Sequence, residues 1–231
     1  MSKHIGKRPK RKKMTPLPGS YLIATEGIQT EVIYFNRLAD IVKDKYSGLR
    51  DRVNVTVPSL TIKGTGVSNL TLIEQVEKLI QISPNLYEHV WVVFDKDDVP
   101  MERFDHAIDA AQRQGWQVAW SNDSFELWYV LHFEFLNTAI SREAYKVKLT
   151  QHLKQAGFKT GYEKNSESIL TLLDDEKQQR AIRFGKKLAV KNVGKPYHQQ
   201  NPMTTVYQLV EELNRLSVTA DILQREHVDG N

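Results

Sequence analysis

Residues 89–100 read HVWVVFDKDDVP, and this segment gives the clearest indication of the fold. Five consecutive apolar residues, Val90 to Phe94, run directly into Asp95, Asp97 and Asp98. An uninterrupted apolar run of this length is typical of a parallel strand that is covered on both faces. A buried strand therefore ends where three carboxylates within four positions reach solvent, and open α/β sheets carry their functional sites at that carboxyl edge.

The segments around this strand alternate between strand and helix patterns. Three further strands are predicted, at Tyr21 to Thr25, at residues 52–58 (RVNVTVP) and within residues 115–123 (GWQVAWSND), where the strand ends at about Ser121. Helices are predicted from Thr30 to about Lys45, from about Asn69 to Ile82 and after Pro100, where apolar residues recur at helical spacing. The order β-α-β-α-β-α-β indicates an α/β fold with a parallel sheet of about four strands and right-handed crossovers.

The chain outside residues 20–123 has a different character. From 124 to 218 the patterns are helical, without a convincing strand, and predict a helical appendage packed on the α/β core. Residues 1–19 read as a disordered basic tail and 219–231 as a flexible C-terminus. Seven of the positive charges lie before residue 14, so the formal net charge of +4 becomes −3 for the rest of the chain. Such a tail attracts phosphates, or it serves only as a solubilising terminus.

Composition excludes several classes of protein. The 231 residues are 40% hydrophobic and 26% charged, which is ordinary for a globular chain. Cysteine is absent, so disulfide frameworks and thiolate zinc sites are excluded. No apolar run approaches the roughly 20 residues that span a bilayer, and no secretory signal opens the chain, so we expect a cytoplasmic protein without membrane contact. No Walker-type phosphate loop is present, so any ATP hydrolysis must come from a partner.

Acidic residues follow the strands at the predicted carboxyl edge. Glu26 follows the first strand, and Asp95 and Asp97 follow the third. On an extended strand, residues two apart share a face, so Asp95 and Asp97 are expected to point the same way. Crowded carboxylates repel one another, and Mg²⁺ (or Mn²⁺) relieves that repulsion with the oxygen ligands it prefers. Asp98, just before Val99 and Pro100, is placed either to cap the next helix or to act as a further ligand.

A D-x-D motif after a strand occurs in haloacid-dehalogenase-type phosphatases, in some glycosyltransferases and in Toprim nucleases. Glu26 separates these classes, because a Toprim domain has a glutamate at the end of its first strand and the D-x-D at the end of its third. Here LIATEG (Leu22 to Gly27) and VVFDKDD (Val92 to Asp98) stand in that order. The combination is more specific than either motif alone.

Three longer stretches carry a closer resemblance. They are EGIQTEVIYF (26–35), SNDSFELWYVLHF (121–133) and NPMTTVYQLVEEL (201–213). Together they resemble the RloB family, including the AbiL-type abortive-infection proteins, from about Tyr21 to Leu216. One departure is the segment before F-E-L-W, where the family often has a proline and this chain does not. The resemblance implies a Toprim-like, metal-dependent nuclease of bacterial phage defence, encoded beside an ATPase partner.

The resemblance also implies roles for particular residues. Glu26 would act as general acid or base and as a metal ligand, and Asp95 and Asp97 would hold the metal. Glu31 is either an outer ligand or a solvated residue favoured by the helix dipole. Glu126 lies in the apolar stretch FELWYVLHF, where an unpaired charge is costly, so a role in the site is favoured.

Basic residues must recruit a polyanion to an acidic site. Arg180, Arg183, Lys187 and Lys191 share one predicted helix face, which is either a stripe that contacts phosphates or a solvated surface, and Lys63 lies in a predicted loop. His132, inside an apolar helix, is more typical of a core residue than of a proton shuttle.

Three functions remain open at this point. The first is a nuclease effector that cleaves RNA, such as tRNA, or DNA. The second is a non-catalytic subunit that binds nucleic acid or regulates the ATPase. The third is a small-molecule phosphohydrolase. The oligomeric state is also open, with a homodimer as one option.

Overall fold

A five-stranded sheet organises the chain in a computed structural model, which describes residues 19–49, 56–165 and 167–229. The strands are β1 (Ser20–Thr25), β2 (Ser59–Gly64), β3 (His89–Asp95), β4 (Gln117–Asn122) and β5 (Met203–Thr204). Their order in the sheet is β2-β1-β3-β4-β5. The first four strands are parallel, and β5 pairs antiparallel with β4. The predicted α/β class is confirmed, and the arrangement is consistent with a Toprim-like fold.

Seven α-helices surround this sheet in the described part of the chain. They are α1 (Thr30–Ser47), α2 (Asn69–Ile82), α3 (Met101–Arg113), α4 (Glu126–Leu131), α5 (Arg142–Gln155), α6 (Asp175–Lys191) and α7 (Val206–Asp229). Helix α1 shows why they pack here, since Tyr34, Leu38 and Val42 recur on one stripe and are all buried. None of the described helices combines the length and apolar character that crossing a membrane would require.

The register of the central strands places the predicted acidic residues at one edge. Strand β1 pairs with β3 so that Thr25 lies opposite Val93. The backbone N–H of Glu26 then donates to the carbonyl of Val93 at 2.8 Å, which continues the ladder by one residue. Asp95, two residues beyond Val93, closes β3 opposite Ser121 of β4. Glu26 and Asp95 therefore emerge side by side on neighbouring strands.

The helical region after residue 123 shares its core with the sheet. Leu127 and Leu131 of α4 and Val210 of α7 are fully buried and belong to the same apolar cluster as Val92 of β3. A strand and a helix in contact each bury the face that would otherwise meet water. The α4–α7 region is thus packed directly against the α/β part, as the sequence predicts.

The second and fifth strands differ from prediction. Strand β2 covers 59–64, whereas the sequence predicted a strand at 52–58, of which residues 52–55 lie outside the described part. Lys63, placed by the sequence in a loop, is an exposed residue of this edge strand. An edge strand covered on one side lacks the continuous apolar run that made β3 recognisable. Strand β5 was not predicted, because two residues are too few to show a strand pattern and they form a strand only by pairing with β4.

The C-terminal helix is longer than predicted. Helix α7 continues beyond residue 218 to Asp229, so it includes most of the segment that the sequence predicts to be a flexible C-terminus. Ala220 is fully buried in a small second cluster with Val42, Tyr46 and Leu49. Contact with α1 therefore accounts for the extension. The basic segment predicted at 1–19 lies outside the described residues except for Gly19.

Candidate active site

Two carboxylates form the centre of the site at the carboxyl edge of β1 and β3. The backbone N–H of Asp95 donates to Glu26 Oε2 at 3.4 Å. The Oδ2 atom of Asp95 in turn accepts a hydrogen bond from the backbone N–H of Phe125 at 3.0 Å. Phe125 immediately precedes α4, so the segment that begins the helical region orients Asp95. The proximity of Glu26 and Asp95 expected from the strand order is present.

Glu31 approaches the same centre from the first turn of α1. Its side chain is buried, which raises its pKa, while the backbone amides of Glu31 itself and of Gly27 oppose that rise. A Cβ atom added at Gly27 would lie only 2.0 Å from Glu31 Oε2. Only glycine leaves room for this approach, which accounts for the Glu26-Gly27 pair and rules out the solvated alternative for Glu31.

Glu126 completes the group from the start of α4. Its side chain is only 1% exposed, and the hydroxyl of Tyr162 donates to its Oε1 at 3.3 Å. Tyr162 itself is anchored by its backbone N–H, which donates to Thr150 of α5 at 2.9 Å. The charge among apolar neighbours noted in the sequence thus has a specific partner. Tyr162 was missed by the sequence analysis, because nothing in its local pattern points to a residue 36 positions earlier.

Crowding and burial make the carboxylates hard to ionise. Burial is the main cause that raises the pKa of Asp95 well above 3.8, and the nearby charges of Glu31 and Glu126 raise it further. Burial likewise raises the pKa of Glu26 to about 7, although the hydrogen bond from the Asp95 backbone opposes this rise. The pKa of Glu31 is raised by burial and then by the charge of Glu126. Ionisation of these three groups is therefore disfavoured in the folded chain, and a nearby cation would favour their charged forms.

The raised pKa of Glu26 predicts how stability depends on pH. A carboxyl group with a pKa of about 7 in the folded chain and 4.5 otherwise binds a proton preferentially in the folded state. Its contribution to stability is complete below about pH 4.5 and is lost as the pH rises through about 7. We expect the melting temperature in EDTA to fall between pH 5 and 8, and to fall less in Glu26→Gln. An equal fall in both proteins would contradict the assignment.

Two cations stand beside the carboxylates, and the sequence analysis identified neither. Arg142, the first residue of α5, forms an ion pair with Asp97, and its charge also lowers the pKa of Glu26. Lys164 lowers the pKa of Glu26 and of Glu31. Its backbone carbonyl accepts a hydrogen bond from Thr30 Oγ1 at 2.9 Å, which ties this loop to the start of α1. Both cations come from the helical region and reach the site only through tertiary packing.

Asp97 and Asp98 do not occupy the positions expected of them. Asp97 has left the strand, because its φ is +45° and its backbone N–H donates to the carbonyl of Asp123 at 3.1 Å. The alternation that would align it with Asp95 therefore stops at Asp95, and Asp97 pairs with Arg142 instead. Asp98 is exposed, and the capping expectation is wrong: Pro100 takes the N-cap position of α3, where no side chain forms a capping bond.

The chemistry of this site suits a hard divalent cation, but the arrangement does not form a complete cage. All the acidic groups offer carboxylate oxygens, the ligands that Mg²⁺ and Mn²⁺ prefer. Burial and, after it, repulsion between neighbouring carboxylates raise the pKa of Asp95, Glu26 and Glu31, and a cation would relieve that repulsion. Within residues 19–49, 56–165 and 167–229, however, no group of three or more acidic or histidine side chains is arranged to hold a metal ion. The side chains are of the type that Mg²⁺ prefers, but they would have to move closer together to bind one ion.

The predicted basic stripe lies on α6. Arg183, Lys187 and Lys191 are exposed, while Arg180 is partly covered and pairs with Glu176 at 3.0 Å. The amino group of Lys187 lies 5.5 Å from the ring centre of Phe184. Nucleic-acid binding by this stripe, and by Lys63, stays a prediction.

His132 is a core residue. It is fully buried, and its Nδ1 lies 2.9 Å from the carbonyl oxygen of Trp128. Burial lowers the pKa of His132 to about 4, so the ring is neutral at physiological pH. A residue held in this way packs α4 and is not placed to carry protons at the carboxylate cluster.

Comparison with known proteins places the chain in a family. The family model described as RloB-like protein matches residues 21–213, which covers β1 through most of the helical region. No curated protein and no solved structure matches the chain. The matched range includes Glu26, Glu31, Asp95 and Glu126, together with Arg142 and Lys164. Because the match extends over well more than half of its length, the chain belongs to the RloB-like proteins.

Proposed function

We propose that this protein hydrolyses phosphodiester bonds in nucleic acid with Mg²⁺ or Mn²⁺, as the nuclease effector of a bacterial anti-phage system controlled by an ATPase partner. The observation that carries the proposal is the pairing of Glu26 and Asp95 at the carboxyl edge of a parallel sheet, with Arg142 and Lys164 beside them. Residues with strongly perturbed pKa values in one place are candidates for a functional site, and carboxylate oxygens are the ligands that Mg²⁺ prefers. The family resemblance supplies the phage-defence and ATPase parts of the proposal.

The residues divide the work as follows. Asp95 and Glu26 would hold the cation, with Glu126 and Glu31 behind them. Mg²⁺ held there would supply a Lewis acid for the scissile phosphate and would lower the pKa of an attacking water. Glu26, whose pKa is about 7, is matched to proton exchange near neutral pH. Asp97 is not among the residues that would hold the cation, because it pairs with Arg142.

Arg142 and Lys164 are the groups that would meet the substrate. A purely acidic centre repels a polyanion. Guanidinium and ammonium groups at its rim attract the phosphates instead. Arg180, Arg183, Lys187, Lys191, Lys63 and the basic residues before position 14 would extend the contact to more distant phosphates. The proposed substrate is therefore an extended polyanion, RNA (including tRNA) or DNA, and not a small phosphoester.

Substitution of Arg142 tests this contact. We expect Arg142→Gln to raise KM for nucleic acid by about tenfold, because one charge-assisted bond to phosphate is lost. Arg113→Gln, an exposed position on α3, serves as the matched control. Steady-state cleavage at several salt concentrations measures the effect. An unchanged KM together with a lower kcat would instead mean that Arg142 acts on Asp97 and not on the substrate.

The direct test is cleavage of mixed tRNA and of plasmid DNA, by the protein alone and with the neighbouring ATPase. Each reaction is run with Mg²⁺, Mn²⁺ or EDTA, beside Glu26→Gln. Metal-dependent cutting that is lost in Glu26→Gln is the expected result, and the cleaved substrate identifies RNA or DNA. Turnover of a chromogenic phosphomonoester without endonuclease activity would support the phosphohydrolase alternative.

A second function has one observation in its favour. Since no three acidic side chains in the described part of the chain are arranged to hold a metal, the protein could bind nucleic acid or regulate the ATPase without cutting. Thermal denaturation with Mn²⁺ separates the two candidates. The nuclease proposal expects Mn²⁺ to raise the melting temperature at pH 8 and far less at pH 5, where protons compete for the carboxylates. A folded protein that shows no Mn²⁺ effect at either pH supports the regulatory function.

A further inference from the structure

A groove runs between α1, α6 and α7, away from the carboxylate cluster. It consists of neighbouring cavities of about 260, 300, 300 and 430 Å³. Ile41 borders three of these cavities, and Gln178 and Val218 each border two, so the cavities are continuous. We call this feature the α1–α6–α7 groove. Nothing in the proposed hydrolysis uses it.

The floor of the groove is apolar and exposed. Ile41 is 41% exposed and Val218 is 55% exposed, while Leu38 and Leu213 lie buried beneath them. These two side chains give a segment that lies in the groove an apolar surface to cover. The groove therefore has the shape and the apolar contact surface of a docking site.

The rim of the groove is acidic. Seven acidic residues line the four cavities, against three basic ones. Lys45, one of the three, is already paired with Asp221 at 2.6 Å. Asp40, Asp44, Glu167 and Asp175 form no ion pair with any other described residue. An apolar floor with an acidic rim selects a basic segment that also carries some apolar side chains.

The chain itself contains such a segment. Between Met1 and Met14 there are seven lysines and arginines and no acidic residue, together with Ile5. The segment joins β1 at Gly19, on the amino edge of the sheet. Helix α1 runs back toward that same edge, where Tyr46, Leu49 and Ala220 cluster beside Leu60 near the start of β2. The groove thus opens next to the point where the basic segment enters the fold.

The connection to the groove is short. Lys45 lines the groove beside Tyr46, which clusters with Leu60, and Leu60 pairs with Tyr21. Residues 14–18 alone span up to about 17 Å when extended, and each further residue adds about 3.4 Å. A segment tethered this close has an effective concentration in the millimolar range, which favours it over the same segment of another molecule. We propose that residues 3–13 of this chain dock in the α1–α6–α7 groove of the same molecule. Nucleic acid competes with the groove for this segment, so docking lowers the affinity of the segment for a polyanion.

The absence of cysteine makes the test direct. Nitroxide labels are attached to the full chain at Gly6→Cys and at Ser47→Cys, an exposed position on α1 that does not line the groove, and the distance distribution between them is measured by double electron–electron resonance. Labelled protein is diluted into unlabelled protein, so that only distances within one molecule contribute. The groove variant Asp40→Lys/Asp44→Lys/Asp175→Lys is compared with Glu102→Lys/Asp109→Lys, which reverses exposed charges on α3.

We expect a narrow distribution in the parent protein and in the α3 control. It should broaden in the groove variant and at about 1 M salt, where charges are screened beyond roughly 3 Å. Added tRNA should broaden it as well. A broad distribution in the parent protein would overturn the proposal. So would a narrow distribution that the groove variant leaves unchanged, since the segment would then dock elsewhere, or a narrow distribution that disappears on dilution, which indicates the segment of a second copy.

Discussion

Replacement of Asp95 by asparagine is expected to reduce metal-dependent cleavage by more than about a hundredfold while making the fold more stable at pH 8. Removal of a group behind a metal ligand typically costs about 10–100-fold, and loss of a ligand itself costs more. The asparagine carbonyl can still accept the hydrogen bond that Phe125 donates to Asp95 in the parent protein. What disappears is a carboxylate that burial and its acidic neighbours make costly to ionise.

The stability part of this prediction has a definite sign. Because the pKa of Asp95 is raised in the folded chain, the parent protein is penalised as the pH rises, and Asp95→Asn escapes the penalty. We expect the variant to gain about 1–3 kcal/mol in free energy of unfolding at pH 8 and much less at pH 4. Urea denaturation in EDTA measures the gain, and single-turnover cleavage measures the loss.

Asp109→Asn, at an exposed position on α3, is the matched control and should change neither quantity. Wild-type cleavage by Asp95→Asn would show that Asp95 holds no metal and would end the nuclease assignment at this site. Loss of cleavage together with a loss of stability at pH 8 would mean that the carboxylate is stabilised by contacts other than those described here.

Replacement of Glu126 by glutamine is expected to have the second large effect. Glu126 is 1% exposed, and its negative charge raises the pKa of both Asp95 and Glu31. Glutamine keeps the size of the side chain and the oxygen that accepts from Tyr162. Removing only the charge should therefore raise the free energy of unfolding at pH 8 by about 1–3 kcal/mol and weaken Mn²⁺ binding.

Two further variants are measured for comparison with Glu126→Gln. Glu102→Gln, exposed on α3, controls for loss of a negative charge as such and should leave stability unchanged. Tyr162→Phe removes the hydroxyl that donates to Glu126 and should cost about 1–3 kcal/mol, because a buried acceptor loses its partner. If Glu126→Gln proves less stable than the parent protein, the negative charge of Glu126 is compensated by a cation and belongs to the structure of the fold more than to the site.

The sequence predicted those parts of the site that local pattern can report. Glu26 and Asp95 were recognisable because each follows an apolar strand, and the ends of parallel strands share one edge. Glu126 stood out as a charge within an apolar stretch. Glu31 was left open, since its burial depends on a close approach to Gly27 that spacing alone does not reveal. Asp97 was misplaced because periodicity assumes an extended backbone, whereas its φ is +45°.

The parallel sheet, its order of strand and helix and its acidic edge could be predicted from the sequence alone, because burial of an apolar run and period-two alternation are local properties. The partners that surround those acidic residues depend on how the chain packs in three dimensions. Arg142 and Lys164 lie more than a hundred positions from Glu26, and β5 pairs with β4 across more than 80 residues. Contacts over such separations form when the helices pack on the sheet. The energy that selects them comes from the shared core and from paired charges, and local sequence patterns report neither.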